Sequence, residues 1–554
     1  MNYLDKYHFW LNQTQLDLEI RSELDSMTDE QIKEAFFDDI AFGTGGLRGL
    51  LGAGTMRINI YTIRKATLGF ARYLNQLEPS PRVAISYDNR RYSKRFAKEA
   101  AMVMAASGIR VFLFEAMRPT PMLSFAVRHF QCSGGIMITA SHNPKDYNGY
   151  KVYDKTGAQL NLNAADQVIE AISKIDNPFQ IASLDNHLIE TIDVSFDALY
   201  LAEVKKIQVH DEPKIIKMVY SPLHGTGNKV IPELLKEAGY SLFCTANQMI
   251  EDPFFSHAAS SNPEEALAYR PSIELARNVS ADIVMITDPD ADRLGIAVWH
   301  EGDYVLLSGN QTAAIELYYL LSEKKKKGTL PPKGFVYTTN VTTELINTLA
   351  TAYGMDVVIT LTGFKFIGDM AERNQAIAPY IFGAEESYGS LISDFVRDKD
   401  AVQAVYLLAE IANHLKHQGL TLIDYLNQIY EQFGYYHEET LSLTMPGLQG
   451  LKDIEKIMTH FRHHPPQLSR LNLMAFDDVM HQKRYRDGIV EDLHLPSSNV
   501  LKYYYDEKTW LTFRPSGTEP KIKIYFGTQG SSMEEAKNRI NRYKKTIESE
   551  IQSL

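Results

Sequence analysis

Three times along this chain an apolar run of strand length passes through a polar loop into an amphipathic helix, which closes on glycine before another strand. In the first instance Arg82–Ser86 leads to Ser93, placed to cap a helix that carries Phe96, Ala100, Val103 and Met104 on one face. Gly108 ends that helix and Val111–Phe114 follows as a strand. In the second, Ile215–Tyr220 precedes the turn His224–Gly227 and a helix with Val230, Ile231, Leu234 and Leu235, closed by Gly239. In the third, Gly334–Thr338 precedes a helix with Leu345, Ile346 and Leu349, closed by Gly354 before Val357–Leu361. The spacing is too wide for a solenoid and predicts separate α/β domains of related topology. Residues 1–40 read as a helical packing arm, with Trp10, Leu11, Leu16, Leu18, Ile20 and Leu24 among acids and amides. The lysine run Lys324–Lys327, before Gly328 and Pro331-Pro332, reads as a solvated loop joining the second and third domains. Beyond about residue 440 the pattern becomes strand, helix, strands, helix, the last helix starting after Ser531-Ser532 and running through Lys544. That predicts a smaller α+β domain at the C-terminal end.

At 554 residues the chain exceeds one core, and three or four domains are expected. A net charge of −12 disfavours a nucleic-acid partner, which needs a basic face. No apolar run reaches membrane-spanning length and no signal-peptide pattern opens the chain, so a cytoplasmic protein without a membrane partner is expected. The two cysteines, Cys132 and Cys244, have neither metal spacing nor a disulfide framework.

Candidate chemistry sits in loops that follow strands. Ser141, in Thr139-Ala-Ser-His-Asn-Pro144, comes just after the strand Gly135–Thr139, where α/β proteins place ligands. No Gly-x-Ser-x-Gly elbow surrounds it, which disfavours acyl transfer. His142, Lys145 and Lys151 supply donors and proton carriers. Asp288, Asp290 and Asp292 follow the apolar strand Ala281–Thr287, and carboxylates at alternate positions of a turned loop can converge on one hard cation. An EF-hand is excluded, because its sixth position would be Arg293 instead of Gly and its twelfth Trp299 instead of Glu. Three protein carboxylates leave room in a Mg²⁺ shell for a phosphate oxygen or water, with Arg293 to balance charge or bind phosphate.

Four further loops carry polar or basic groups beside glycine. Arg514-Pro-Ser516-Gly517-Thr518, with Lys521 and Lys523, lies between Thr509–Phe513 and Ile522–Phe526 and offers a bidentate Arg, two hydroxyls and a glycine amide. Gly383-Ala-Glu385-Glu386-Ser387-Tyr388-Gly389 follows Tyr380–Phe382, and its carboxylates and serine suit sugar hydroxyls, general-base work or plain surface charge. Thr362-Gly363-Phe-Lys365 opens after a strand and can present Lys365 to a phosphate. Gly43-Thr-Gly-Gly-Leu-Arg48-Gly49 sets Arg48 on a flexible glycine scaffold, and its spacing is not a dinucleotide fingerprint. The turn His224–Gly227 with Lys229 is not a Walker A sequence and reads as a strand-to-helix turn.

Taken in chain order, Thr139–Pro144, Asp288–Arg293, Glu385–Ser387 and Arg514–Thr518 resemble the four signature loops of the α-D-phosphohexomutase superfamily. The resemblance covers nearly the whole chain. With Tyr388-Gly389 and Arg397-Asp-Lys-Asp400, it is nearest the branch of phosphoglucomutases and phosphopentomutase-like enzymes. It implies four domains around a central cleft, three related α/β mixed-sheet domains and the smaller α+β one. Those are expected at residues 1–208, 209–328, 329–438 and 439–554, carrying in turn phosphoserine, metal, sugar recognition and phosphate binding.

The chemistry implied is interconversion of glucose 1-phosphate and glucose 6-phosphate through phosphorylated Ser141 and glucose 1,6-bisphosphate. Mg²⁺ is then held by Asp288, Asp290, Asp292 and an oxygen on Ser141, and Arg48 stabilises transferred charge. The family match favours Lys151 over His142 as proton carrier, with burial lowering its pKa towards that of a working base. Arg293, Thr362, Gly363, Lys365, Glu385, Ser387, Lys399, Arg514, Ser516, Gly517, Thr518 and Lys523 are expected to bind substrate. Mannose or pentose phosphates by the same mechanism, a phosphohydrolase, and a catalytically silent sugar-phosphate binder remain open at this point. So does a monomer or a dimer.

Overall fold

The N-terminal arm consists of three short helices, Tyr3–Leu11, Leu18–Ser26 and Asp29–Phe36. Each start is fixed by a side chain: Asn2 and Thr28 close capping boxes with Asp5 and Gln31, and Asp17 accepts from two first-turn amides. Their apolar faces meet in a cluster of Trp10, Ile20, Leu24, Ile32, Phe36 and Tyr61. The computed structural model describes residues 2–43, 45–445, 447–468, 471–506, 508–516 and 521–554. It divides into two units: Met1–Gly309 with Phe364–Gly383 and Ser387–Thr421, and Asn310–Gly363 with Ala384–Glu386 and Leu422–Leu554.

In the first unit, strands β1 (Gly46–Leu50), β2 (Arg82–Tyr87), β3 (Arg110–Phe114), β4 (Gly134–Ile138), β5 (Tyr147–Asp154) and β6 (Ile189–Ile192) form a mixed sheet ordered β1-β5-β4-β2-β3-β6. β4, β2, β3 and β6 run parallel, while β5 and β1 add antiparallel at one edge. β4 is buried along its whole length, as its continuous apolar run requires. A second mixed sheet has β7 (Lys217–Ser221), β8 (Ser241–Cys244), β9 (Ile283–Thr287), β10 (Leu294–His300) and β11 (Asp303–Leu307) in the order β11-β10-β9-β7-β8. The candidate loops leave the C-terminal ends of β4 and β9, where the polar groups of the following turn meet no further strand.

In the second unit β12 (Phe335–Thr339) and β13 (Asp356–Thr360) pair in parallel around the helix Glu344–Ala352. β14 (Tyr380–Glu385) and β15 (Gly389–Leu391) follow in the chain, so Glu385 ends a strand instead of lying in the loop beyond it. The C-terminal part adds seven antiparallel strands: β16 (Tyr435–Thr444), β17 (Ala475–Asp478), β18 (Lys483–Arg486), β19 (Ile489–Asp492), β20 (Leu501–Tyr504), β21 (Trp510–Pro515) and β22 (Lys521–Gly530). Their order is β16-β22-β21-β20-β17-β18-β19, with helices Gly447–His463 and Met533–Gln552 packing onto a core that includes Phe461, Phe513 and Ile540. The strand–helix–strands–helix pattern is therefore observed, and the last helix runs past Lys544.

Two local expectations are corrected. Ser93 is the first helical residue, not the cap; Tyr92 occupies the cap position with φ 66°, and the Ser93 hydroxyl donates to Asp88 instead. Lys324–Lys326 are the last turn of the helix Gly309–Lys326, not a loop. Lysines there complement the carbonyl end of the helix dipole, and Lys326 pairs with Glu323 one turn back. No helix among the described residues is long and apolar enough to cross a membrane.

Phe36 is fully buried at the centre of the arm. Phe36→Ala should destabilise the arm by about 3 kcal/mol. Hydrogen exchange should show faster amides across residues 3–36 while β2 and β4 keep their protection.

Candidate functional site

Ser141 holds a left-handed backbone, φ 51°, which a non-glycine residue adopts only when its surroundings impose it. The Thr139 hydroxyl accepts the Ser141 amide at 2.8 Å and donates to Asp88 at 2.6 Å. The Arg90 guanidinium then donates to four carbonyls of the same loop: Ser141 at 2.6 Å, Pro144 at 2.8 Å, Tyr147 at 3.1 Å, and Asn143. Asp88 lies 3.2 Å from Arg90 Nε and also takes the Arg90 amide and the Ser93 hydroxyl. Burial raises the Asp88 pKa and lowers that of Arg90, and each opposes the shift of the other. Sequence reasoning missed this pair. Its one signal is an acid and an arginine just beyond the apolar strand β2, the same placement that singled out the serine loop.

The Ser141 hydroxyl donates to Asp288 Oδ2 at 2.7 Å. Asp288 Oδ1 accepts the amides of Asp292 and Arg293, so the acid that meets the serine also closes its own loop. Asp290 Oδ2 takes the Thr120 hydroxyl at 2.9 Å and Lys151 Nζ at 2.7 Å. Asp292 Oδ2 takes Lys399 at 2.9 Å and Lys151 at 3.3 Å. The turn His224–Gly227 supports the loop from behind: a Cβ on Gly225 would lie 2.4 Å from Pro289 Cα, and the Thr226 amide donates to the Pro289 carbonyl.

One ligand atom from each of Asp288, Asp290 and Asp292 lies within 4.8 Å of the others, and all three residues are buried. Asp290 Oδ1 and Asp292 Oδ1 are buried without a hydrogen-bond partner. Buried acceptors left over after two lysines have been satisfied are what a hard cation would take up. The residues present fit a divalent ion.

Electrostatics separate the three acids. Burial, with repulsion from Asp290 and Asp292, pushes Asp288 well above the carboxylate range, so it takes up a proton more readily than its two neighbours. Burial acts the same way on Asp290, but Lys151 overcomes it and holds that acid well below the range. The expected lowering of the Lys151 pKa is not found. Burial favours the neutral amine, yet Asp290 and Asp292 outweigh it and the pKa is raised. His142 goes the other way: burial, then Arg293 and Arg48, hold it well below its ordinary value, so its ring is neutral, with Nδ1 3.3 Å from Ser141 Oγ.

Arg48 is not on a flexible scaffold. Gly46–Leu50 is a strand, paired so that Arg48 faces Gly149 and Gly46 faces Lys151. Gly46 has φ 124°, and a Cβ there would sit 1.9 Å from the Tyr150 carbonyl oxygen, so the glycine permits close approach instead of mobility. Arg48 reaches Asn143 at 3.0 Å, and Arg293 pairs with Glu264 at 2.9 Å. Lys399 passes over Gly389, whose Cβ would meet Lys399 Cδ at 2.4 Å. Lys365 starts the helix Phe364–Asn374, its pKa lowered by burial to about 8, and Ser387 is half-buried between β14 and β15.

The second unit gathers another polar group. Glu385 Oε1 accepts the Gly363 amide at 2.8 Å, the Thr362 hydroxyl meets Asn340 at 3.4 Å, and Glu386 takes the Thr339 hydroxyl at 3.4 Å. Burial and the neighbouring Glu385 raise the Glu386 pKa to about 7, against the pull of Arg514 and Lys523. Arg514 and Lys523 are register partners across β21 and β22, and the Ser516 amide donates to the Lys521 carbonyl. Gly517 and Thr518 lie outside the described residues.

If Arg90 is what fixes the serine loop, Arg90→Met should leave β2 and β4 protected while amide exchange across residues 141–147 accelerates about tenfold or more, equivalent to at least about 1.4 kcal/mol of lost local stability.

Three domain families match in order: phosphoglucomutase/phosphomannomutase alpha/beta/alpha domain I over residues 39–179, domain II over 198–301 and domain III over 308–433. A phosphoglucomutase of Staphylococcus aureus is 38% identical over 547 residues, 97% of this chain and 98% of that one. One from Staphylococcus epidermidis is 38% identical over 94% of this chain and 96% of its own length. Among solved structures, a phosphoglucomutase/phosphomannomutase family protein of Burkholderia thailandensis superposes with a TM-score of 0.68 at 18% identity, over 92% of this chain and 97% of that one. Parafusin from Paramecium does so with 0.66 at 17%, over 92% and 94%, and both show the same fold. With three matched domains in order and near-complete coverage of relatives at this identity, the chain belongs to the phosphoglucomutase/phosphomannomutase family of the α-D-phosphohexomutases.

Proposed function

We propose that this chain is a phosphoglucomutase, which interconverts glucose 1-phosphate and glucose 6-phosphate through phosphorylated Ser141 and glucose 1,6-bisphosphate. The observation that carries the reading is the Ser141 hydroxyl 2.7 Å from Asp288, within a buried aspartate group that has acceptors to spare. Relatives bearing that name, 38% identical along almost the full length, support glucose as the sugar.

Phosphorylated Ser141 gives its phosphoryl group to a hydroxyl of the bound sugar phosphate: a bond from that oxygen to phosphorus forms, and the bond to Ser141 Oγ breaks. The bisphosphate then presents its other phosphate and the step runs in reverse. Mg²⁺, held by Asp288, Asp290, Asp292 and an oxygen on Ser141, would supply positive charge to the transferred group. Arg48, fixed on β1 and reaching Asn143, adds charge at the same loop. Neutral His142, 3.3 Å from Ser141 Oγ, is in the protonation state of a base, whereas charged Lys151 can donate to the departing serine oxygen. Glu385 and Ser387 are assigned to sugar hydroxyls, and Arg514, Ser516, Gly517, Thr518 and Lys523 to the phosphate that is not transferred. Thr362, Gly363, Lys365, Arg293 and Lys399 complete the substrate contacts.

Intact mass of the purified protein should show one phosphate on Ser141 that is lost on incubation with substrate. Ser141→Ala should lose turnover by several orders of magnitude; a fully active variant removes the mechanism. Asp290→Asn should lose activity and Mg²⁺ response together, and an unchanged metal titration would take that loop out of the chemistry. Glucose 1-phosphate should give glucose 6-phosphate with little inorganic phosphate, whereas stoichiometric phosphate release would mark a hydrolase. A panel of glucose, mannose and pentose 1-phosphates compared by kcat/KM tests the sugar.

A further inference from the structure

Away from the aspartate group, one other cluster of metal-binding side chains occurs among the described residues: His210, Glu212 and His414, with one ligand atom from each within 4.8 Å of the others. His210 and Glu212 belong to the segment 206–216, between the helix Phe196–Lys205 and β7; His414 is on the helix Ala401–His417. The segment is pinned to that helix by backbone bonds. Glu410 accepts the amides of Val209 at 3.0 Å and His210 at 2.9 Å. Asn413 accepts the Ile215 amide at 2.8 Å and donates to the Pro213 carbonyl at 3.1 Å, and the His417 ring meets that carbonyl at 2.9 Å. Glu410, Asn413, His414 and His417 fall at i, i+3, i+4 and i+7, one face of the helix, so the three metal-binding groups stand on a fixed scaffold.

Their side chains are close enough to share an ion. The His210 and His414 rings are stacked, centroids 4.6 Å apart and planes 21° apart, and a rotation of one ring out of the stack brings a nitrogen of each to face one point. The Glu212 oxygens are 3.0 and 3.1 Å from His414 Nδ1, near the about 3.3 Å that separates donor atoms on a tetrahedral ion with bonds of about 2.0–2.1 Å. Gln418 Nε2 lies 2.9 Å from His414 Nε2. Turning that amide over offers its oxygen to Nε2–H, which fixes the tautomer with Nδ1 as the ligand. Asp211 and Glu410 add negative charge nearby.

We propose that His210, Glu212 and His414 bind one divalent transition-metal ion of the zinc class, clamping the segment 206–216 to the helix Ala401–His417. Two imidazoles and one carboxylate select zinc, cobalt, nickel or copper over magnesium, which prefers an all-oxygen shell. The three ligands leave a fourth position to water, and the neutral His414 ring binds through Nδ1 while keeping its proton on Nε2. The site is chemically distinct from the oxygen-only aspartate group and is independent of the reaction proposed above.

The test is calorimetric titration of Zn²⁺ into the whole protein in excess Mg²⁺, which keeps the aspartate group supplied, with thermal unfolding followed in parallel. The expected result is one zinc per chain with a rise in Tm, and a visible cobalt spectrum of tetrahedral nitrogen ligation when Co²⁺ replaces zinc. His210→Ala and His414→Ala should abolish the event, and Gln418→Leu should weaken it about tenfold. Glu212→Gln keeps its volume, so it should fold, and it too should bind zinc at least about tenfold more weakly. No saturable zinc binding in the wild-type protein overturns the proposal, as does wild-type affinity in Glu212→Gln or in either histidine variant. Activity without zinc should be unchanged in all four.

Discussion

The site depends on how three carboxylates are kept buried in one five-residue turn. Charges within 4.8 Å repel by about 3 kcal/mol or more per pair at an effective dielectric of about 20. At the same dielectric, the 2.7 Å pair of Lys151 with Asp290 returns about 6 kcal/mol before desolvation is counted. Lys399 on Asp292, and the raised proton affinity of Asp288, complete the compensation. The arrangement holds together because no two acids have the same set of partners, Lys151 alone serving both Asp290 and Asp292. Those partners come from separate strands and loops of the first unit, so the fold of that unit and the charge balance of the site are one problem.

The serine side of the site is solved by different means. Backbone carbonyls cannot be neutralised, only hydrogen-bonded, and one buried guanidinium satisfies four of them while Asp88 balances its charge. That is why Ser141 can keep an unfavourable left-handed conformation and still present its hydroxyl to Asp288. Lysine could not do the same, since it offers a point charge in place of a planar fork.

The sequence made some of this legible and hid the rest for identifiable reasons. Ser141 and the three aspartates stand out because their residue types are unusual beside apolar strands, and strand ends are read well from periodicity. Arg90 does not stand out: its partners are carbonyls, which every residue possesses, so an arginine in a loop reads as surface charge. Glycine was ambiguous in the same way. Around Gly46 it suggested flexibility, but the residue is there because a neighbouring strand leaves no space for a Cβ. The charge state of Lys151 was beyond pattern altogether, because burial and two acids push in opposite directions and only distances decide the winner. The Lys324–Lys326 run looked like a loop by composition, whereas the helix dipole makes the last turn a good place for it.

The same charge balance bears on the proposed reaction. In the unmodified protein the Ser141 proton satisfies Asp288. Phosphorylation removes that donor and adds about 1.5–2 negative charges beside acids that already repel one another. A phosphorylated serine loop and a divalent cation at Asp288, Asp290 and Asp292 would therefore be thermodynamically linked, each strengthening the other by the same factor. A cation on those acids would also compete with Lys151 for their charge and weaken the interaction that raises its pKa, against which burial and Lys399 already act.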